Sequence, residues 1–95
     1  MSYKLEFVES AFREWEKLDS VVREQFKKKL AERLESPKVP SARLNSMADC
    51  YKIKFKSSGY RLVYKVLDTE IVVLVVAISK RERNTVYKSA MKRTK

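Results

Sequence analysis

Polar and apolar residues alternate from Tyr3 to Phe7, the period of a half-buried strand. Val8, Phe12, Trp15 and Leu18 then recur at helical spacing, with Ala11 on the same stripe, which predicts a helix over 9–18. Asp19-Ser20 offers a break and an N-cap. After it, Val22, Phe26, Leu30 and Leu34 stripe a second helix every four residues as far as about Ser36, where Pro37 stops it. Lys38 to Ala48, with a second proline at Pro40, reads as a loop. Strands are predicted at about 49–56, 60–67 and 70–79, the first two joined by Ser57-Ser58-Gly59 and the last two by a short Asp68-Thr69 hairpin. The run Ile71 to Ile78 is continuously apolar and largely β-branched, hence a central strand covered on both faces. Asn84 caps a final helix through about Arg93, with Val86/Ala90 and Tyr87/Met91 four apart.

The order β-α-α-β-β-β-α predicts a small single-domain α+β sandwich over 1–95, with helices packed on one face of a mainly antiparallel four-stranded sheet. Trp15, Tyr60 and Tyr64 fall on its core side. Lys27-Lys28-Lys29 falls on the polar side of the second helix, balanced by Glu24 and Glu32, and reads as a solvated face.

One strand breaks the usual economy of charge. Strand side chains alternate between faces, so Lys52, Lys54 and Lys56 share one face while Tyr51, Ile53 and Phe55 share the other. The core takes the aromatic side, which leaves a ridge of ammonium groups pointing outward. Aligned like charges on a sheet repel, so the ridge lowers stability unless a polyanion neutralises it. Arg61 and Lys65 follow on the next strand, with no acid between Asp49 and Asp68. The whole chain carries a net charge of +10. Residues 1–36 hold eight cations and eight acids, so that charge lies entirely in residues 37–95. Segregation of charge onto strands and a terminal helix, with aromatics interleaved, favours RNA or DNA over a membrane surface or an acidic protein.

Several chemistries are excluded by what the chain lacks. It has no histidine, hence no histidine base, no zinc site of the usual kind and no Ser-His triad. The carboxylates are scattered without a paired constellation, which argues against a two-metal nuclease. The single cysteine, Cys50, cannot form an internal disulfide and reads as a buried thiol suited to a reducing cytoplasm. The longest apolar run spans eight residues, too few to cross a bilayer, and Met1-Ser2-Tyr3-Lys4 lacks the apolar stretch of a signal peptide. These features predict a soluble, intracellular protein.

The Lys52/Lys54/Lys56 face, Arg61 and Lys80-Arg81-Glu82-Arg83 are expected to converge, with Tyr87 six residues after Arg81. Cations hold phosphates and a ring stacks on a base, the set needed to grip single-stranded RNA. RNA also carries its own nucleophile, the 2′-OH. A metal-free nuclease therefore needs a base, a leaving-group acid and stabilisation of the phosphorane. An ordinary lysine, with a pKa of about 10.4, is a poor base at neutral pH. Two cations about 7 Å apart repel by roughly 2 kcal/mol at an effective dielectric of about 20, which favours loss of one proton. Arginine stabilises developing negative charge and is a weak acid of last resort. The set can carry the chemistry, slowly, unless something else orients the substrate.

The runs Asp49-Cys50-Tyr51-Lys52-Ile53-Lys54, Ser57-Ser58-Gly59-Tyr60-Arg61-Leu62-Val63-Tyr64 and Lys80-Arg81-Glu82-Arg83, with Tyr87, closely resemble the RelE toxins of bacterial toxin–antitoxin systems. The segments Val22-Arg23-Glu24-Gln25 and Leu34-Glu35-Ser36-Pro37 extend the resemblance over essentially the full length. It implies a cytoplasmic, cofactor-free endoribonuclease that cuts mRNA in the A site of the 70S ribosome and arrests translation. It also implies a RelB-like antitoxin, with operator DNA met only through that antitoxin, and no membrane partner. By position, Lys52 and Lys54 match the base and charge-stabilising lysines, Arg61 the phosphorane-stabilising arginine, Arg81 the leaving-group acid or phosphate clamp, and Tyr87 the residue that stacks on mRNA. Lys56, Lys80 and Arg83 are left as RNA-binding residues, and no residue as a metal ligand. Lys92-Arg93-Thr94-Lys95 reads as a frayed basic tail, against ribosomal RNA or nothing. Two other classes stay open: a ParE-type gyrase-inhibiting toxin and a non-catalytic RNA-binding protein of the ribosome.

Overall fold

A computed structural model describes residues 2–45, 47–55, 58–80, 90, 92 and 93. Strand β1 (Lys4–Phe7) leads into helices α1 (Glu9–Glu16) and α2 (Ser20–Glu35), followed by a 3₁₀ turn at Pro40–Ala42. Strands β2 (Cys50–Lys54), β3 (Tyr60–Leu67) and β4 (Val72–Lys80) complete the sheet. Its order is β1-β4-β3-β2. β1 runs parallel to β4, and the other two pairings are antiparallel. Among the described residues, no helix is long and apolar enough to cross a membrane.

The helical stripes supply one layer of the core. Ala11 and Trp15 of α1 and Val22, Phe26 and Leu30 of α2 pack on Tyr51, Ile53, Leu62, Tyr64, Val66, Val73, Val75 and Ile78. Removing the buried ring of Phe26 should cost about 3–5 kcal/mol, the usual penalty for a phenylalanine-sized cavity. A second cluster lies on the opposite face, where Cys50, Val63, Val76 and Ala77 are covered by Met47 and Ala90, with Leu44 and Leu74 at its margin. The apolar run of β4 is therefore buried on both sides, as its composition predicts. α1 and α2 occupy one face only, and Ala90, in a helical segment, packs on the other.

A bulge in β4 adapts the run to its two layers. Val63 pairs with Ala77 and Tyr64 with Val75, so Val76 is the extra residue. Val76 and Ala77 both join the second cluster. Beyond Val75, β1 no longer pairs with β4, and side chains complete that edge. The Glu14 carboxylate accepts the Ile78 N–H at 3.1 Å, and the Arg93 guanidinium donates to the Val76 carbonyl at 2.8 Å and to Glu14 at 2.9 Å. Arg93 is thus an anchor. Its expected place in a frayed tail is corrected by three hydrogen bonds, two to the half-buried Glu14 carboxylate and one to the carbonyl of buried Val76.

Four local expectations shift. The β3–β4 connection is the four residues 68–71, longer than an Asp68-Thr69 hairpin. Ile71 sits there at φ +55°, its N–H bonded to Asp68, its carbonyl receiving the Lys4 N–H that starts β1. A β-branched residue reads as strand by propensity, but this one is held in a left-handed turn by the incoming strand. Phe12 lies on the predicted apolar stripe yet is 46% exposed, its ring edge-on to Phe7. Asp19 takes the extended N-cap conformation of α2 without a side-chain capping bond. The segment read as loop also does more than connect: Arg43 bridges Tyr51, and the Leu44 N–H caps the Cys50 carbonyl on the outer edge of β2.

Candidate functional site

Register fixes which side chains share the outer face. Lys54 pairs with Arg61, and Arg61 with Ser79; one row further, Lys52 pairs with Val63, and Val63 with Ala77. Directly paired residues on adjacent strands project the same way, so Lys52, Lys54 and Arg61 lie together on the face turned away from α1 and α2. Lys65, opposite Cys50, continues the same face. Tyr51 and Ile53 are buried beneath, and Phe55 is half-buried with its ring 4.8 Å from Phe26. On the described parts of β2 and β3 this face carries four cations and no carboxylate. Lys54 is exposed, while Lys52 and Arg61 are half-buried. Two like charges, Lys54 and Arg61, face each other directly across the two strands.

The β2–β3 turn helps bring the pair together. Gly59, the only glycine in the chain, takes φ +76° and donates to the Phe55 carbonyl at 2.9 Å. Phe55 in turn donates to Tyr60 at 3.0 Å. A left-handed residue is needed here to reverse the chain, and glycine takes that conformation without a Cβ penalty.

Lys80 does not join the outer face. It pairs with Tyr60, one residue out of phase with the Arg61–Ser79 row, and its ammonium lies 5.6 Å from the Tyr60 ring centroid. Lys56, Arg81, Arg83 and Tyr87, expected to converge on the site, lie outside the described residues. The chain leaves β4 at Lys80 and is next described at Ala90, in the cluster that includes Val63, the cross-strand partner of Lys52.

Beneath the cationic face lies a polar arrangement that sequence reading missed. The Arg33 guanidinium on α2 donates to the Tyr64 hydroxyl at 2.7 Å and to the Lys52 carbonyl at 3.3 Å. The Tyr64 hydroxyl donates onward to the Pro37 carbonyl at 2.7 Å. Burial raises the pKa of Tyr64, partly opposed by the bond from Arg33, so the hydroxyl stays a donor at neutral pH. Arg33 follows Leu30 by three positions on the core stripe, and Glu14 follows Ala11 likewise. Ionisable residues on an apolar stripe were the available signal. Burial also raises the pKa of Cys50, a protonated and inaccessible thiol as expected. Among the described residues no group of acids and thiols is placed to hold a metal ion.

The family model described as "ParE toxin of type II toxin-antitoxin system, parDE" matches residues 5–85. The chain belongs to this family of type II toxin–antitoxin toxins. It is 58% identical over 93 residues to the mRNA interferase toxin RelE of Escherichia coli K12, covering 98% of each chain. Its fold matches the solved free-state structure of the R81A/R83A mutant of E. coli toxin RelE with a TM-score of 0.91, at 56% identity and 98% coverage of each chain. It also matches the toxin chain of the intact E. coli RelBE toxin–antitoxin complex, at TM-score 0.83 and 57% identity, over 86% of this chain and 100% of that one.

Proposed function

We propose that this protein is an mRNA interferase: a toxin that cleaves mRNA on the ribosome and is held inactive by a RelB-like antitoxin. The single observation that carries this reading is the row of Lys52, Lys54 and Arg61 on one outward face, with Lys54 and Arg61 directly opposed across β2 and β3. A binding patch needs cations near phosphates, but it does not need them crowded on adjacent strands around one spot. Crowding is what general-base lysines and phosphorane stabilisation require. The strong likeness to a relative named mRNA interferase toxin RelE supports the same reading over gyrase inhibition.

In the proposed reaction the 2′-oxygen attacks the adjacent phosphorus. The Lys52/Lys54 pair takes the 2′ proton and, with Arg61, stabilises charge on the phosphorane oxygens. The P–O5′ bond breaks, and the leaving 5′-oxygen takes a proton from Arg81 or from water that Arg81 orients. A 2′,3′-cyclic phosphate and a 5′-hydroxyl end result. Tyr87 stacks on a base, while Lys56 and Arg83 hold phosphates. Lys80, stacked on Tyr60, is at most a peripheral phosphate contact. None of these groups pre-aligns the 2′-OH with the P–O5′ bond, and alignment is worth several orders of magnitude in rate, about 10⁵ or more in favourable cases. The A site of the ribosome supplies that alignment in this account, in the cytoplasm where both partners meet.

The test is cleavage of one defined mRNA, naked and programmed in 70S ribosomes, at equal protein concentration. Rapid cutting on ribosomes with cyclic-phosphate ends, and slow cutting of naked RNA, is the expected result. Intact mRNA on ribosomes would refute the reading, and a block of gyrase supercoiling in its place would establish the alternative.

A further inference from the structure

We propose that Arg33, on the helix layer behind the sheet, is a positioning residue that holds the catalytic strand β2 through the Lys52 carbonyl and the Tyr64 hydroxyl. The inference rests on the reading of Lys52 and Lys54 as reacting groups. β2 is an edge strand: β3 pairs along one side, and on the other only the Arg43–Tyr51 bridge meets it. The carbonyls of Cys50 and Lys52 both point to its unpaired side, since residues two apart along a strand share a hydrogen-bonding direction. The Leu44 N–H takes the first at 2.9 Å. Arg33 takes the second at 3.3 Å, continuing the edge where backbone cover gives out.

The same guanidinium nitrogen fixes a second point. It donates to the Tyr64 hydroxyl, whose own proton goes to the Pro37 carbonyl, so both hydrogen-bonding capacities of that buried oxygen are assigned. The Tyr64 ring is stacked on Tyr51 with centroids 5.6 Å apart and planes 18° from parallel. Tyr51 precedes Lys52 in the chain. Arg33 therefore holds Lys52 through its carbonyl and, by way of the paired rings, through its neighbour. A planar guanidinium with donors in a fixed fork suits such a two-point clamp; an ammonium on a flexible stem does not.

Stability alone does not call for an arginine here. A neutral amide would cap the Lys52 carbonyl without placing another cation behind a strand that already carries Lys52 and Lys54. A rigid clamp has a use when the chemistry depends on where the lysine nitrogens stand. Misplacement by about 1 Å can lower a rate by roughly 10²-fold.

The experiment is single-turnover cleavage of mRNA on ribosomes, with ribosome affinity measured separately, for Arg33→Met, Arg33→Lys, Lys52→Ala and Arg33→Met/Lys52→Ala. Methionine keeps the aliphatic stem and leaves the Tyr64–Pro37 bond in place. Arg33→Met should lower the bound-state rate by about ten- to a hundredfold, the effect of a misplaced reacting group, with affinity unchanged. Arg33→Lys should recover part of the loss. The double variant should be no slower than Lys52→Ala, because Arg33 acts through that strand. An unchanged bound-state rate for Arg33→Met, or an equal further loss in the Lys52→Ala background, overturns the clamp while the site stands. A parental rate for Lys52→Ala overturns the site reading, and the role of Arg33 with it. If Arg33→Met fails to fold, Arg33→Lys decides: parental rate and affinity overturn the clamp, and a slowed bound-state rate at parental affinity supports it.

Discussion

Replacing Glu14 with alanine removes the acceptor that closes the β4 edge beyond β1. The carboxylate receives the Ile78 N–H at 3.1 Å and the Arg93 guanidinium at 2.9 Å, and Arg93 also bonds the Val76 carbonyl. The side chains are 31% and 24% exposed, Glu14 and Arg93 respectively, so water replaces only part of what is lost. A hydrogen bond to a charged group contributes about 1.5–3 kcal/mol, and the orphaned Ile78 N–H adds to the loss, so Glu14→Ala should cost about 2–3 kcal/mol. With an unfolding entropy of about 2.1 cal/mol/K per residue, a chain of this size loses roughly 10–15 °C in Tm. Glu14→Gln keeps an acceptor for Ile78 and should cost about 1 kcal/mol. The control is Glu9→Ala, which breaks an exposed helical pair to Arg13 and should cost under about 0.5 kcal/mol. Chemical denaturation of Glu14→Ala, Arg93→Ala and the double variant reads the coupling directly. A cost for Glu14→Ala no larger than that of Glu9→Ala, or zero coupling with Arg93, would refute this account of the edge.

Two further outcomes follow from local geometry. Asp68 accepts from Lys38 and from Tyr3 at 2.9 Å, and these bonds, Lys38 first, hold its carboxyl pKa below the usual value. A depressed folded pKa gives stability that is present above the unfolded pKa of about 3.9 and is lost as pH falls through the folded value. Tm measured from pH 5 down to pH 2 should therefore fall less steeply in Asp68→Asn than in the parent, and equal slopes would remove Asp68 from the explanation. At Gly59 a methyl group would meet nothing within 4 Å, so Gly59→Ala should cost only the left-handed backbone penalty, about 1–2 kcal/mol by denaturation.

How far the chain could be read in advance depends on where a residue's neighbours come from. The alternation through Tyr51–Phe55 put Lys52 and Lys54 on the outer face, because the period of a strand is a local property. Lys80 had no such signal: β4 is apolar on both faces and bulged, and only its pairing with Tyr60 sets it apart from Arg61. Ile71 was misread as strand because its conformation is imposed by β1, more than 60 residues earlier in sequence. Phe12 kept its helical spacing but falls outside the region the sheet covers. Arg33, Glu14 and Arg93 were missed for a common reason: each completes an unpaired strand edge, and edges exist only once the sheet has formed. The β4 bulge, which places Val76 and Ala77 on one face, leaves no mark in an unbroken apolar run.

The central claim is that chemistry belongs to one face of the sheet, and two cations at the same end of the β3–β4 pair separate it from general basic character. Arg61 stands on the outer face opposite Lys54, and Lys80 stands on the other side against Tyr60. The decisive measurement is the single-turnover cleavage rate of ribosome-bound mRNA for Arg61→Ala and Lys80→Ala, each at saturating protein. The account predicts a loss of about 10²-fold or more for Arg61→Ala, as for removal of one transition-state donor, and a rate within about twofold of the parent for Lys80→Ala. Equal losses in the two variants, or losses that vanish at saturation, would contradict it.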